Sequence, residues 1–348
     1  MDEVAALAGV HPTTVSLALR SHPSIPAATR ERILAAARQV GYMRDPLLDA
    51  FNSHRLRKLA MKQTHSVAFL VDAATSPIFS GAPCHPRVQE GVRAAAETEH
   101  LALEVFALGA REMTPGRLNT ILLSRGITGI LLSTFTPATL SVDLDWDRFS
   151  AVKIESHHLL PPLDVVSNDQ CQAARLGMRR LRALGYRRIG LATALDDESR
   201  LESTFSSGVL VEQAELDERE RVPPLLFERR PIKAVAARVA RWIKDQSVDA
   251  VMTNWGELFT PAPETGGCPL VTSTSLRIPR DVAFASLDVP PDRPGLAGIV
   301  QNHRLVGMRA LEQLAVLVRT FCRGAPANPS ATYIPGYWQD GTTAPPRG

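Results

Sequence analysis

The stretch HPTTVSLALR, residues 11–20, sets His11, Thr13, Thr14, Ser16, Leu17 and Arg20 on the outward side of a short helical pattern. An imidazole, three hydroxyls and a guanidinium grouped this way suit a polyanion, because hydroxyls and guanidinium nitrogens both reach phosphate oxygens. A second group is dispersed along the chain. Ser76, Ser133, Glu155, Arg200, Asn254, Trp255, Asp288 and Gln301 each follow a short apolar run. Polar residues just beyond strand ends are the ones an open α/β sheet offers to a ligand. Neither group places a serine, a histidine and an acid in a recognisable nucleophile arrangement, so no catalytic residue and no enzyme are expected. The adjacent pair His157 and His158 would point to opposite sides of a strand end, which argues against a metal site there. Cys84, Cys171, Cys268 and Cys322 lack CxxC spacing, so neither a zinc site nor a disulfide framework is expected, and no cofactor is implied.

The elements that must position the first group are short helices. Val4, Leu7 and Ala8 recur at helical spacing, and Gly9 follows where the helix stops and turns, with Val10 plugging the turn. Pro12 suits the first turn of the next helix, whose apolar face is Val15, Ala18 and Leu19. A third helix reads from AATRERILAAARQVGY, with Ile33, Ala36, Ala37 and Val40 packed inward and Gly41 as its stop. Two short helices joined through a glycine turn make a helix-turn-helix, whose second helix leads with its N-terminal residues.

From His65 onward, short apolar runs alternate with amphipathic helix patterns: SVAFLV, RVQEGVRAAAETEH, LALEVFAL, GRLNTILLSRG, ITGILLS and FSAVKIE. The rhythm restarts at VVSNDQCQAARLGMRRLRALGYRRIGLAT and runs on to PLVTSTSLRIPRDVAFASLD. Strand–helix alternation is the signature of a parallel α/β layer, and two such layers in tandem make two lobes. No Gly-x-Gly-x-x-Gly or Walker lysine motif occurs, which points away from nucleotide chemistry.

Composition agrees. The 348 residues are 45% apolar and 22% charged, as in a globular protein of two or three domains. Net charge is only +3, but residues 1–62 carry nine basic groups against five acidic ones, so a small basic module sits on a nearly neutral body. No apolar run approaches the roughly 18 residues of a membrane span, and no secretory signal is visible, so a reducing cytoplasm is the expected location.

DEVAALAGV, TTVSLAL and TRERILAAARQVGY, in this order and spacing, resemble the DNA-binding headpiece of the lactose-repressor/galactose-repressor family of bacterial regulators. LGYRRIGLA, LRIPRDVAFASLD and GIVQNHRLVGMRALEQLAVLV extend the resemblance over nearly the whole chain. The resemblance implies that His11, Pro12 and Thr13 read bases, with Leu17 one turn further on, and that Thr14 and Ser16 bond phosphates. Leu17 stands where most members have arginine, so the preferred operator should differ from the commonest one. In MRDPLLDAFNSHRLRK the resemblance implies a hinge that orders on DNA, with Phe51 as the minor-groove wedge in place of the usual leucine. Members usually carry a few more residues before the equivalent of Asp2, so Met1 is expected to mark a shortened or misassigned start. Arg200, Asn254 and Asp288 fall on positions that hold the effector, while GELFTPAPETGGCPLVTS is rich in proline and glycine where the family has a helix, and should form a loop.

The expected fold is therefore α/β: an N-terminal three-helix helix-turn-helix headpiece at 1–45, a hinge or linker at 46–62, and a two-lobed periplasmic-binding-protein-like domain of doubly wound parallel sheets at 63–348. Lobe one is expected at about 63–160 and 289–320, and lobe two at 161–288 and 321–348. The expected function is sequence-specific transcriptional regulation, as a repressor, with double-stranded DNA of pseudo-palindromic sequence, a sugar-like small-molecule effector and a second copy of the chain as partners, and no membrane. A solute-binding or sensor module without specific operator binding is the alternative.

Overall fold

The computed structural model describes residues 1–19, 24–40, 42, 65–75, 85–110, 113–229, 231–259, 268–270 and 276–347. Arg20, the linker 46–62 with Phe51, and Ser76 lie outside the described residues.

Three helices, α1 (Asp2–Ala8), α2 (Pro12–Leu19) and α3 (Ala27–Gln39), pack around Val4, Ala5, Ala8, Val15, Ala18, Ile33, Ala36 and Ala37. Helix α1 ends at Gly9, whose φ of 62° is the left-handed conformation that glycine reaches without a Cβ clash. Two expected core positions are corrected. Leu7 is exposed and Ala5 takes its place, because in a seven-residue helix Val4 and Ala8 share a stripe with either neighbour and the small alanine allows closer approach. Val40 lies at the C-cap of α3, beyond the last packed turn, and is also exposed.

Among the described residues the body holds two six-stranded sheets. Strands β1 (His65–Asp72), β2 (Leu101–Leu108), β3 (Gly129–Leu132), β4 (Ser150–Ile154), β5 (Val165–Asn168) and β11 (Ala331–Ile334) form the first, in the order β11-β5-β4-β3-β1-β2 and all parallel. Strands β6 (Ile189–Ala194), β7 (Leu225–Phe227), β8 (Ala250–Thr253), β9 (Ala283–Ser286), β10 (Gly298–Val300) and β12 (Tyr337–Gln339) form the second, in the order β12-β10-β9-β8-β6-β7, with only β12 antiparallel. The near-continuous apolar runs of β1, β3 and β4 are those of strands buried on both faces. Helices α4 (Pro86–Thr98) and α10 (His303–Arg319) share a core with one face of the first sheet, and α5 (Pro115–Ser124) with the other. In the second lobe α6 (Gln170–Ala183) and α8 (Thr204–Ala214) share one core and α9 (Ile232–Asp245) another, while α7 (Leu195–Arg200) directly follows β6.

The chain crosses between sheets at residues 168–170, 300–303 and 334–337, not at 161, 289 and 321. Each crossing lies just after a strand that pairs backwards. Val165 and Val166 stand beside Lys153 and Ile154 of β4, Gly298 beside Ser286 of β9, and Ala331 beside Val165. The helix following each of the first two strands packs on the other lobe, so strand–helix rhythm alone places those boundaries a strand too early.

Candidate functional site

Helix α2 presents its N-terminus. His11 Nδ1 accepts the Thr13 amide at 3.3 Å and lies 3.0 Å from Thr13 Oγ1, which leaves the Nε2 hydrogen to an outside acceptor. His11 and Thr13 are exposed, and Pro12, Thr14, Ser16 and Leu17 are half-buried. Leu17 also packs against the headpiece core, so the residue standing in the arginine position helps to close that core.

The second site is a cleft between the lobes, a cavity of about 490 Å³ at the strand ends of both sheets. Glu155, Arg200, Asn254, Trp255, Asp288 and Gln301 line it, as expected from their places after strands. Ser133 does not. It is fully buried, its amide donating to the Leu70 carbonyl and its carbonyl accepting Ser156 Oγ, so it belongs to the sheet beneath. The expected loop after Asn254 begins as a single 3-10 turn, Gly256–Leu258, and Trp255 and Gly256 stand on the cavity wall; residues 260–267 and 271–275 lie outside the described residues.

Asp197 is the hub of the second-lobe wall. Its Oδ2 accepts Arg229 Nη2 at 2.7 Å and Asn254 Nδ2 at 2.8 Å, and Arg200 Nη2 stands 3.6 Å from Oδ1. Thr193 Oγ1 donates to Asn254 Oδ1 at 2.9 Å, which fixes that amide. Arg229 lies 5.4 Å over the Trp255 ring, and Phe227 stacks on the same indole at 5.4 Å. Arg200 thus pairs within its own charged segment and also reaches the other lobe, where Nη1 donates to the Glu155 carbonyl at 2.6 Å. Glu155 holds a φ of 50° at the end of β4, a conformation that costs a residue with a side chain about 1–3 kcal/mol and that turns it out of the strand into the cleft.

The first-lobe wall is a relay that ties the crossings together. Glu155 Oε1 accepts the Asn168 amide at 3.3 Å, Asn168 Nδ2 at 2.8 Å and Gln170 Nε2 at 3.2 Å. Asn168 Oδ1 accepts the Asn302 amide at 3.0 Å, and Asn302 Nδ2 donates to the Pro335 carbonyl, so one residue from each crossing joins the set. Asn168 Nδ2 also lies 3.1 Å from His303 Nδ1, and His303 Nε2 meets Asp288 Oδ2 at 2.9 Å. His85, at the N-cap of α4, stacks on His303 with centroids 3.8 Å apart.

Burial would raise the pKa values of Glu155 and Asp288, but His303 beside both, with Arg200 and the Asn168 bonds at Glu155, holds them below the ordinary carboxylate range. Burial lowers the His303 pKa, and Asp288 and Glu155 more than restore it. His85 is pushed down to about 4 by burial and by neighbouring His303, so it is neutral near pH 7.

His85, Asp288 and His303 place one donor atom each within 4.8 Å of one another. The donor set does not suit a metal ion. Neutral His303 carries its hydrogen on Nε2, because Nδ1 faces Asn168 Nδ2, and the imidazolium carries one on both nitrogens, so in either state the nitrogen directed at Asp288 has no lone pair for an ion. His157 and His158 diverge as expected, one stacking on Tyr333 and the other meeting the Thr136 carbonyl at 3.2 Å.

Sequence reading missed Asn168, Gln170, Asp197, Arg229, His85 and His303. Asn168 ends a strand and meets the same rule that found Glu155. His85 follows no strand and only tertiary packing brings it to the cleft.

Residues 1–45 match the family described as "Bacterial regulatory proteins, lacI family". Among curated proteins, the chain is 24% identical over 197 residues to the "NTD biosynthesis operon regulator NtdR" of Bacillus subtilis (strain 168), covering 55% of this chain and 54% of that one. It is 38% identical over 79 residues to the "HTH-type transcriptional regulator GntR" of Pseudomonas aeruginosa, covering 23% of this chain and 21% of that one. The first of these matches spans about half the length of the relative, and the second about a fifth. Among solved structures, the "transcriptional regulator CelR-cellobiose complex" superposes with a TM-score of 0.58 at 19% identity over 98% of both chains. The lac repressor dimer bound to operator and the anti-inducer ONPF does so with a TM-score of 0.55 at 16% identity, again over 98% of both, and these two likenesses establish the fold. With a lacI-family headpiece at its N-terminus and the fold of those regulators throughout, the chain resembles the lactose-repressor/galactose-repressor family of bacterial transcriptional regulators.

Proposed function

We propose that the chain is a sequence-specific DNA-binding transcriptional regulator, acting as a repressor, whose operator affinity is set by a small, sugar-like molecule in the interlobe cleft. One observation carries the reading: the N-terminus of α2, with His11, Thr13, Thr14 and Ser16 at its outer side, stands on a three-helix unit that matches the lacI family over residues 1–45. In this reading His11, Pro12 and Thr13 meet base edges, Leu17 offers an apolar contact, and Thr14, Ser16 and Arg20 meet phosphates. The segment 46–62 joins the headpiece to the lobes, with Phe51 as its wedge, and two copies of the chain read the two halves of a pseudo-palindrome.

Coupling follows from where the effector sits. Glu155 on the cleft wall is linked to all three crossings through the bonded series Asn168, Asn302 and Pro335, so a ligand that changes the lobe angle changes how the first lobes present their linkers. Linkage makes the effect reciprocal, DNA altering ligand affinity by the same factor, with a coupling of about 1–3 kcal/mol. The test is selection of random duplexes by the full chain at physiological salt, followed by sequencing. A retained pseudo-palindrome is the expected result. Retention of no defined sequence would assign the chain instead to the solute-binding modules.

A further inference from the structure

His303 stands where the two lobes meet. It opens α10 of the first lobe, and its Nε2 lies 2.9 Å from Oδ2 of Asp288, which follows β9 of the second. The imidazole is nearly buried, its side chain 11% exposed, whereas the Asp288 side chain is 34% exposed and already meets solvent. The lobes are thus joined through a ring that can change its charge without leaving its place.

The groups facing that ring divide by lobe. Glu155 at the end of β4, Asn168 at the end of β5, and His85 and Arg87 at the start of α4 all belong to the first lobe and move with His303. Asn168 cannot turn over, since its Oδ1 accepts the Asn302 amide and its Nδ2 serves Glu155. Asn168 Nδ2 therefore suits a neutral ring at Nδ1 and opposes a proton there, and it does so equally at every angle between the lobes. Arg200 comes from the second lobe but attends Asp197 and the Glu155 carbonyl. Among the described residues, the leading action of the second lobe on His303 is that of Asp288.

The charges of the neighbouring acids and of His85 are settled near neutrality. Burial draws the His303 pKa down, and Asp288, by charge and hydrogen bond, with Glu155 behind it, carries it above the ordinary 6.5. His85, stacked on it at 3.8 Å, is pushed to about 4 by burial and by His303, so it stays neutral. Glu155 and Asp288, for all their burial, are held below the usual carboxylate range beside His303 and stay ionised.

We propose that this contact is a proton-operated latch: a proton on His303 holds the second lobe closed through Asp288, and its loss lets the cleft open. Opening carries Asp288 into water and leaves burial, Arg87 and His85 opposed by Glu155 alone, so the open form holds the proton less tightly. The contribution to closure is complete below the pKa of the open form and is lost as pH rises through the raised pKa of the closed form. Each unit between the two values is about tenfold in the ratio of closed to open molecules. Mild acid therefore closes the cleft without any small molecule, and the latch acts on the lobes whether or not the chain reads an operator.

The full chain, with its histidines labelled with ¹³C at Cε1 and no ligand added, is followed by NMR and small-angle scattering between about pH 5.5 and pH 9. One resonance, missing from His303→Gln, is expected to titrate with a midpoint above 6.5, and the radius of gyration to grow with pH through that midpoint. His303→Gln keeps an amide donor for Asp288 but no titrating ring, so its radius should not follow pH there. Asp288→Asn should lower the midpoint and likewise flatten the radius. A midpoint at or below 6.5, a wild-type radius indifferent to pH, or the same growth in His303→Gln overturns the latch. Should His303→Gln fail to fold, Asp288→Asn identifies the resonance by its displaced midpoint, and growth of its radius like that of the wild type overturns the latch equally. Duplex selection is scored separately, so a defined operator with a pH-indifferent cleft rejects the latch and leaves the regulator standing.

Discussion

A Cβ atom placed on Gly91 of α4 would stand 1.9 Å from the carbonyl oxygen of Arg304 in α10. Gly307 meets α4 in the same way, 2.2 Å from the Val88 carbonyl, so the two helices approach backbone to backbone. That approach is what stacks His85, at the start of α4, on His303, at the start of α10. Gly91→Ala is expected to destabilise the first lobe by about 1–3 kcal/mol through overpacking against backbone that cannot rotate away. Thermal unfolding checks this, and an unchanged midpoint would show that the helices separate without cost.

Arg200 bonds one lobe to the other on the cleft wall through the Glu155 carbonyl, beside the His303–Asp288 contact. Arg200→Ala removes it and leaves Asp197 with Arg229 and Asn254. A hydrogen bond from a charged donor contributes about 1.5–3 kcal/mol, so effector affinity should fall by about tenfold or more and the lobes should open. Small-angle scattering and calorimetry measure both, and an unaltered scattering profile with unaltered affinity would reject Arg200 as an interlobe tie.

In the headpiece, His11 and Thr14 should behave differently. His11→Ala is expected to lose about 1–3 kcal/mol on the selected operator while relaxing preference at one base pair. Thr14→Ala is expected to weaken all duplexes to a similar degree, since phosphate contacts carry no sequence. Fluorescence anisotropy on operator and scrambled duplexes separates the two patterns. Equal losses on both duplexes for His11→Ala would remove it from base reading.

Glu198 offers a pH test outside the cleft. Burial pushes its carboxyl pKa above its ordinary 4.5, and its buried Oε1 lacks a hydrogen bond. For an acid whose folded value is raised, the favourable contribution of the protonated form is complete below the ordinary value and is lost as pH rises through the folded value. Glu198→Gln cannot ionise, so its urea-unfolding free energy should decline less than that of the wild type between about pH 4.5 and pH 7.5. Parallel declines would mean that Glu198 titrates alike in the folded and the unfolded chain.

The sequence by itself determined the periodic features. Helix-spaced apolar residues and Gly9 specify the headpiece, because a short amphipathic helix has one way to bury its stripe and glycine one obvious place to turn. The apolar runs of β1 to β9 specify two parallel layers and place Glu155, Asn254 and Asp288 just beyond strand ends, and Arg200 on the short helix after β6, where the cleft forms. Tertiary structure alone decided which sheet takes β5, β10 and β11, since a strand's pattern records that both faces are buried and not which neighbour it pairs with. It also decided that Ser133 is sealed beneath the cavity while His85 and His303 reach its wall. Those placements depend on Gly91 and Gly307 bringing two helix starts together across more than two hundred residues of chain, and local spacing carries no record of a contact at that separation.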